Sequence, residues 1–153
     1  MRKTRLLLIL SVLLSATLIA KGDATGHARL HAIDQSGIRA EIFFVDNGST
    51  LWVLGAAEGL DPSQTYISLV YGEGSFPGGP HACEPSTTHP ITFPQMFVGT
   101  WTVDPDGTGV LSAKKTGASY VAVGDAGTIS IRQRVAVGLP QLRACGEIAV
   151  NPF

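Results

Sequence analysis

Imidazoles and thiols are the side chains here best suited to hold a metal or carry a nucleophilic step, and the 153-residue sequence has four histidines and two cysteines. His27 and His31 stand four apart in a segment of alternating polarity, which places them on one strand face about 13 Å apart, too far to share an ion. They read as exposed polar residues. His81 and His89 flank Cys83 and Glu84 in a long irregular segment and could converge only if that segment folds back. A bridged Cys83 would then be no ligand. No nucleophile-elbow motif marks a serine for a Ser-His-Asp set, so hydrolytic chemistry has no anchor. The catalytic, cofactor-binding and metal-ligating residue sets expected from these patterns are therefore empty.

Cys83 and Cys145 are 62 positions apart and, in a chain bound for an oxidising compartment, are expected to pair, the alternative being two buried free thiols. A bridge over that span removes roughly 4 kcal/mol of unfolded-chain entropy in the loop-closure treatment. Asn47-Gly48-Ser49 fits a glycosylation acceptor, but a tight hairpin needs the same residues and suffices as the explanation. Among the aromatics Trp52, Trp101, Tyr66, Tyr71 and Phe76, Trp101 is expected in the core. Tyr71 and Phe76 are expected at the mouth of the long loop, where a recognition surface is placed.

These groups must be positioned by strands. Apolar residues alternate with polar ones at Ala28, Leu30 and Ala32, at Ile38, Ala40, Ile42 and Phe44, and at Leu51 and Val53. A period of two means strands with one buried face. Turn residues separate them at 34–37, 46–49 and 104–107, where Asn, Asp and Gly accept positive φ. Further strands are expected over Thr65–Tyr71, Phe97–Val103, Thr108–Ala113, Tyr120–Val123, Thr128–Val135 and Cys145–Val150. Eight or nine short strands and no helical periodicity describe a sandwich or a closed Greek-key barrel. The stretch from Gly72 to Gln95 lacks alternation and reads as a loop that a disulfide at Cys83 would pin.

A basic start (Arg2, Lys3, Arg5), an apolar run from Leu6 to Leu14 and small residues from Ser15 to Ala20 form the layout of a secretory signal peptide, with cleavage after Ala20 or Ala24. The run is short for a membrane span of roughly 20 residues, so cleavage is expected ahead of the alternative, an uncut anchor, and no stable span is expected after it. Cleavage after Ala20 leaves 133 residues, one β domain over 25–153, with eight basic and twelve acidic residues and a formal charge of −4. No basic stripe interleaved with aromatics exists, which excludes a nucleic-acid surface. The expected location is secreted or periplasmic.

Gly59-Leu60-Asp61-Pro62 before a strand, Gly99-x-Trp101-x-x-Asp104-x-Asp106-Gly107, Thr128-Ile129-Ser130-Ile131 and Ala144-Cys145-Gly146-Glu147-Ile148 occur in that order. The combination resembles the copper/zinc superoxide dismutase family over most of the chain. The resemblance implies a flattened eight-stranded Greek-key barrel. It also implies copper beside zinc, held mainly by imidazoles. Those imidazoles are missing. The family's His-x-x-His-x-His slots fall on Thr65, Ser68 and Val70, its zinc-region histidine and aspartate on Pro94 and Phe97, and no histidine follows His89. The family's guiding arginine falls on Leu142, with Arg143 one step off.

The expectation is a superoxide dismutase-like domain without the copper/zinc site and without superoxide dismutase activity, a binding or envelope-associated module with a protein or envelope partner. The alternatives are a divergent dismutase or metal-binding protein that uses His81 and His89, and a chordin-type domain, whose bacterial members keep a histidine pair that this chain lacks.

Overall fold

A computed structural model describes residues 24–72 and 83–152. The leader expected over 1–20, His81 and Phe76 lie outside the described residues. Nine antiparallel strands form one nearly closed, barrel-like sheet: β1 (Ala24–Ala32), β2 (Arg39–Asp46), β3 (Thr50–Glu58), β4 (Tyr66–Gly72), β5 (Phe97–Thr100), β6 (Thr102–Val103), β7 (Gly109–Thr116), β8 (Ala126–Gln133) and β9 (Gln141–Pro152). Their order around the sheet is β5-β4-β8-β9-β1-β2-β3-β7-β6. The count is nine rather than eight because the strand expected over Phe97–Val103 breaks at Trp101. That residue turns its ring into the interior and donates its backbone N–H to Tyr66 O at 3.0 Å.

Alternation sets the register of β1, β2 and β3. Leu30, Ile42, Phe44, Leu51 and Val53 fill the interior together with Leu111, Ile129 and Ile131. The 34–37 turn between β1 and β2 uses positive φ at Asp34, Gln35 and Gly37, and Gly48 between β2 and β3 and Gly107 between β6 and β7 have φ of 83° and 85°. Asp46 and Asn47 hold the second turn through hydrogen bonds from Gly48 N, at 2.8 Å, and Thr50 N, at 2.9 Å. Gly55 leaves the space that the Trp101 ring takes, since a Cβ there would stand 2.8 Å from the ring.

Two departures from the expected pattern matter. Tyr120–Val123 is not a strand; it links two single-turn 3-10 helices, Gly117–Ser119 and Val123–Asp125. It is held through the Asp46 side chain instead of a ladder: Asp46 accepts from the Tyr120 hydroxyl at 2.9 Å and from Val123 N at 2.8 Å. β4 does not alternate in burial, because both its faces are covered. Tyr66 and Val70 join the interior, while Tyr71, with Leu69 packed beside it, belongs to a second cluster containing Cys83, Cys145 and Leu142. Cys83 and Cys145 are joined as a disulfide with Cα atoms 5.9 Å apart, which ties the long loop to β9. Among the described residues no helix is long and apolar enough to cross a membrane.

Candidate binding face

β1, β2, β3 and β7 lie side by side, and their outward residues form rows fixed by the strand register. The first row is Thr25, Val45, Trp52 and Lys114; the second His27, Phe43, Leu54 and Ser112; the third Arg29, Glu41, Ala56 and Val110. Alternation predicts polar residues here, and the face breaks that rule. Phe43 is 52% exposed, Leu54 59%, Val110 55% and Trp52 37%. Four large apolar side chains in neighbouring rows make one contiguous apolar stripe, the kind of surface that marks an interaction site.

Polar neighbours frame the stripe. The His27 ring stacks on Phe43 with centroids 4.6 Å apart, and its Nε2 stands 3.9 Å from a Glu41 carboxylate oxygen without a hydrogen bond. Arg29 donates to the other Glu41 oxygen at 3.1 Å. Lys114 lies 5.8 Å from the centre of the Trp52 ring, a cation over a π face. Beyond the third row the sheet sinks into an open groove of about 750 Å³, floored by Ala40, Ala57 and Gly109 and rimmed by Arg39 and Glu58. Val110 of the stripe also lines the groove, so stripe and groove adjoin.

The residues singled out from the sequence are dispersed. His27 and His31 share β1, with His31 exposed, and His89 lies exposed in the loop far along the chain. Among the described residues no three His, Cys, Asp or Glu are grouped so as to hold a metal ion. Thr65 is exposed, whereas Ser68 and Val70 are fully buried and face inward, where the Ser68 hydroxyl accepts the Trp101 indole N–H at 2.9 Å. A buried isopropyl group and a satisfied hydroxyl leave no opening for an ion there. Pro94 is exposed and Phe97 half-buried near Phe93. Leu142 packs against the disulfide layer, and Arg143 donates to Gln133 Oε1 at 2.8 Å and Gln141 Oε1 at 2.9 Å.

Phe76 lies outside the described residues, and Tyr71, expected with it at the mouth of the long loop, is buried. Its hydroxyl accepts from Arg132 Nε at 2.8 Å, and the same guanidinium donates to Pro140 O at 3.1 Å and Cys83 O at 3.0 Å. Arg132 thus clamps the stapled loop to β8, a role that sequence reasoning missed, since the partners lie 8 to 61 positions away. Lys115 was missed too. It continues the inward parity of Gly109, Leu111 and Ala113, and its ammonium, 3% exposed as a residue, donates to Phe97 O across the seam between β7 and β5. Burial pulls its pKa down to about 8. Burial first, and then the bond to Asp46, pushes Tyr120 up to about 12. No family model matches the chain, and no curated protein matches it.

Proposed function

We propose that this chain is an exported, non-catalytic binding module built on a superoxide dismutase-like Greek-key barrel that has lost the copper/zinc site. The observation that carries the reading is the Trp101–Ser68 bond: one slot that the resemblance assigns to a metal-ligating imidazole holds a hydroxyl already satisfied by an indole N–H inside the barrel. Hydroxyl and isopropyl groups do not hold a redox copper. The residues present do not fit a copper/zinc pair.

The strand order supports the Greek-key part. β1, β2 and β3 form a meander, after which the chain crosses to β4 at the far end of the sheet and later crosses again from β7 to β8, while β9 returns to lie beside β1. The disulfide supports export to an oxidising compartment. The apolar stripe supports binding as the activity that remains.

Metal analysis and a superoxide-removal assay on the purified chain test the reading together. The expected result is substoichiometric copper and zinc and no removal above background. Stoichiometric copper with rapid removal would refute it. The competing metal-carrier reading predicts that replacing His81 and His89 with Ala lowers metal affinity; no change eliminates it.

A further inference from the structure

We infer that the loop between β8 and β9, residues 134–140, is a wedge that seats the barrel on a bilayer surface bearing anionic phospholipid headgroups. The inference rests on the reading of the chain as an exported binding module and names a partner for it, through a surface separate from the apolar stripe.

The loop is apolar where a hairpin tip is ordinarily polar. Val137 and Leu139 are 90% and 88% exposed, more than Phe93 at 73% or any residue of the stripe. Gly138 stands between them with φ of 102°, and a Cβ there would meet nothing within 4 Å. The tip therefore projects clear of the barrel. Two apolar side chains on a projecting tip offer no shaped face to a folded partner, whereas the boundary between headgroups and acyl chains accepts them without shape matching. Residues 134–140 join no strand ladder, so their backbone needs water, and the wedge reaches that boundary and no deeper.

The base of the loop is fixed while its tip is bare. Arg134 N donates to Thr65 O at 2.8 Å, and Pro140 O accepts from Arg132 Nη1 at 3.1 Å. A loop held at both ends loses little freedom on docking.

The charges adjoining the loop along both strands are positive: Arg132 and Arg134 on one side, Arg143 on the other. Arg132 pairs in register with Leu142 on one face of the hairpin, and Arg143 lies with Gln133 and Gln141 on the opposite face, so cations flank the wedge on both sides. None of the three is neutralised. Arg132 donates to Tyr71 Oη, Pro140 O and Cys83 O, and Arg143 to two glutamine oxygens. Arg134 is exposed, and among the described residues the only ion pairs are those of Glu41, on the outer face. Acids reach the hairpin only on neighbouring segments: Asp34 follows Ile33, whose N–H donates to Arg143 O; Asp61 shares a turn with Gln64, which bonds Gln133; and Glu84 follows Cys83. The Asp61 carboxylate is taken by Ser63 N and Oγ at 2.9 and 2.7 Å. Guanidinium groups suit phosphate oxygens, and Arg134 and the remaining donor nitrogen of Arg143 are open to them.

Sedimentation of the purified chain with vesicles reads the docking, the leader having been removed so that its apolar run contributes nothing. Binding to phosphatidylcholine vesicles containing phosphatidylglycerol is expected to be at least about tenfold tighter than to phosphatidylcholine alone, and to weaken with salt. Replacing Val137 and Leu139 together with Asp is expected to weaken it at least about 30-fold. Both side chains are exposed, so urea unfolding of that variant is expected to match the parent, which separates lost docking from lost folding. Arg134→Gln is expected to cost about fivefold and Arg134→Lys little. In Leu139→Trp the added fluorescence is expected to shift to the blue and to be quenched by brominated acyl chains. No binding to the anionic vesicles, or binding indifferent to the double Asp variant, overturns the wedge. Equal binding to both kinds of vesicle overturns the anionic assignment. A chain that ignores vesicles but self-associates through Val137 and Leu139 assigns the loop to a protein contact and overturns the proposal as well. Copper content and superoxide removal on the same samples keep the two readings apart: a metal-free chain that ignores vesicles refutes the wedge alone, and a copper-loaded dismutase refutes the non-catalytic reading whether or not it docks.

Discussion

Among the described residues Lys115 is the one buried basic side chain, and replacing it with Met isolates what that burial does. Met keeps an unbranched chain of similar length and removes the charge. In the folded chain burial lowers the ammonium's pKa from 10.5 to about 8. A gap of that size between protonation states corresponds to about 3 kcal/mol. Lys115 is the second-last residue of β7, close to water at the barrel's end, and screening there brings the working value to about 1–2 kcal/mol. The sign follows from proton counting. Between about pH 8 and 10.5 the unfolded chain keeps the proton that the folded chain has released, so the unfolding free energy rises with pH through that window. Below it the buried charge is a constant burden, partly offset by the bond to the Phe97 carbonyl. Urea unfolding of the parent and of Lys115→Met at about pH 7 and at about pH 10.5 gives two differences. Relative to the variant, the parent is expected to gain about 1–2 kcal/mol across the window; Tyr120 and every other titrating group are common to both chains and cancel. A difference that stays flat with pH refutes the inward, desolvated placement of the ammonium.

Gly55→Ala is expected to destabilise the fold by about 1–3 kcal/mol, because its Cβ would meet Trp101 at 2.8 Å and Leu111 at 3.2 Å; chemical denaturation and Trp fluorescence read both the loss and the displaced ring. Replacing Cys83 and Cys145 together with Ala is expected to lower stability by roughly 4 kcal/mol, from the 62-residue separation, and limited proteolysis should then cut first between β4 and β5. Tyr120, raised to about 12, contributes stability that is whole below about pH 10 and is lost as pH rises toward 12, so Tyr120→Phe is expected to be the less stable chain near neutrality and to lose less stability over that alkaline window.

Local chemistry made much of this protein legible before any coordinates. The turns at 46–49 and 104–107 follow from Asn, Asp and Gly close in sequence, and the inward set on β1 to β3 follows from a period of two. The cysteine pairing followed from there being two cysteines and from the compartment that the expected leader implies. The same parity argument also held the apolar outer face: once Ile42, Phe44, Leu51 and Val53 point in, Phe43, Trp52 and Leu54 must point out, apolar as they are. The anomaly was visible; what could not be read was that these three stand in adjoining rows beside a hollow, since rows are made by pairing between strands.

Tertiary structure alone decided what depends on partners distant in sequence. β4 loses its alternation because the stapled loop covers its second face, and no property of residues 66–72 announces that cover. Tyr120–Val123 has strand-like composition, yet pairs with no neighbouring strand and donates hydrogen bonds to Asp46, 74 positions before Tyr120. Arg132 is one arginine among several until the fold sets Tyr71, Cys83 and Pro140 around its guanidinium. Sequence fixes which backbone shapes are cheap and which way each side chain points along its own strand. Which surfaces are then buried, and which polar groups are satisfied, is settled only when segments far apart in the chain exclude water from one another.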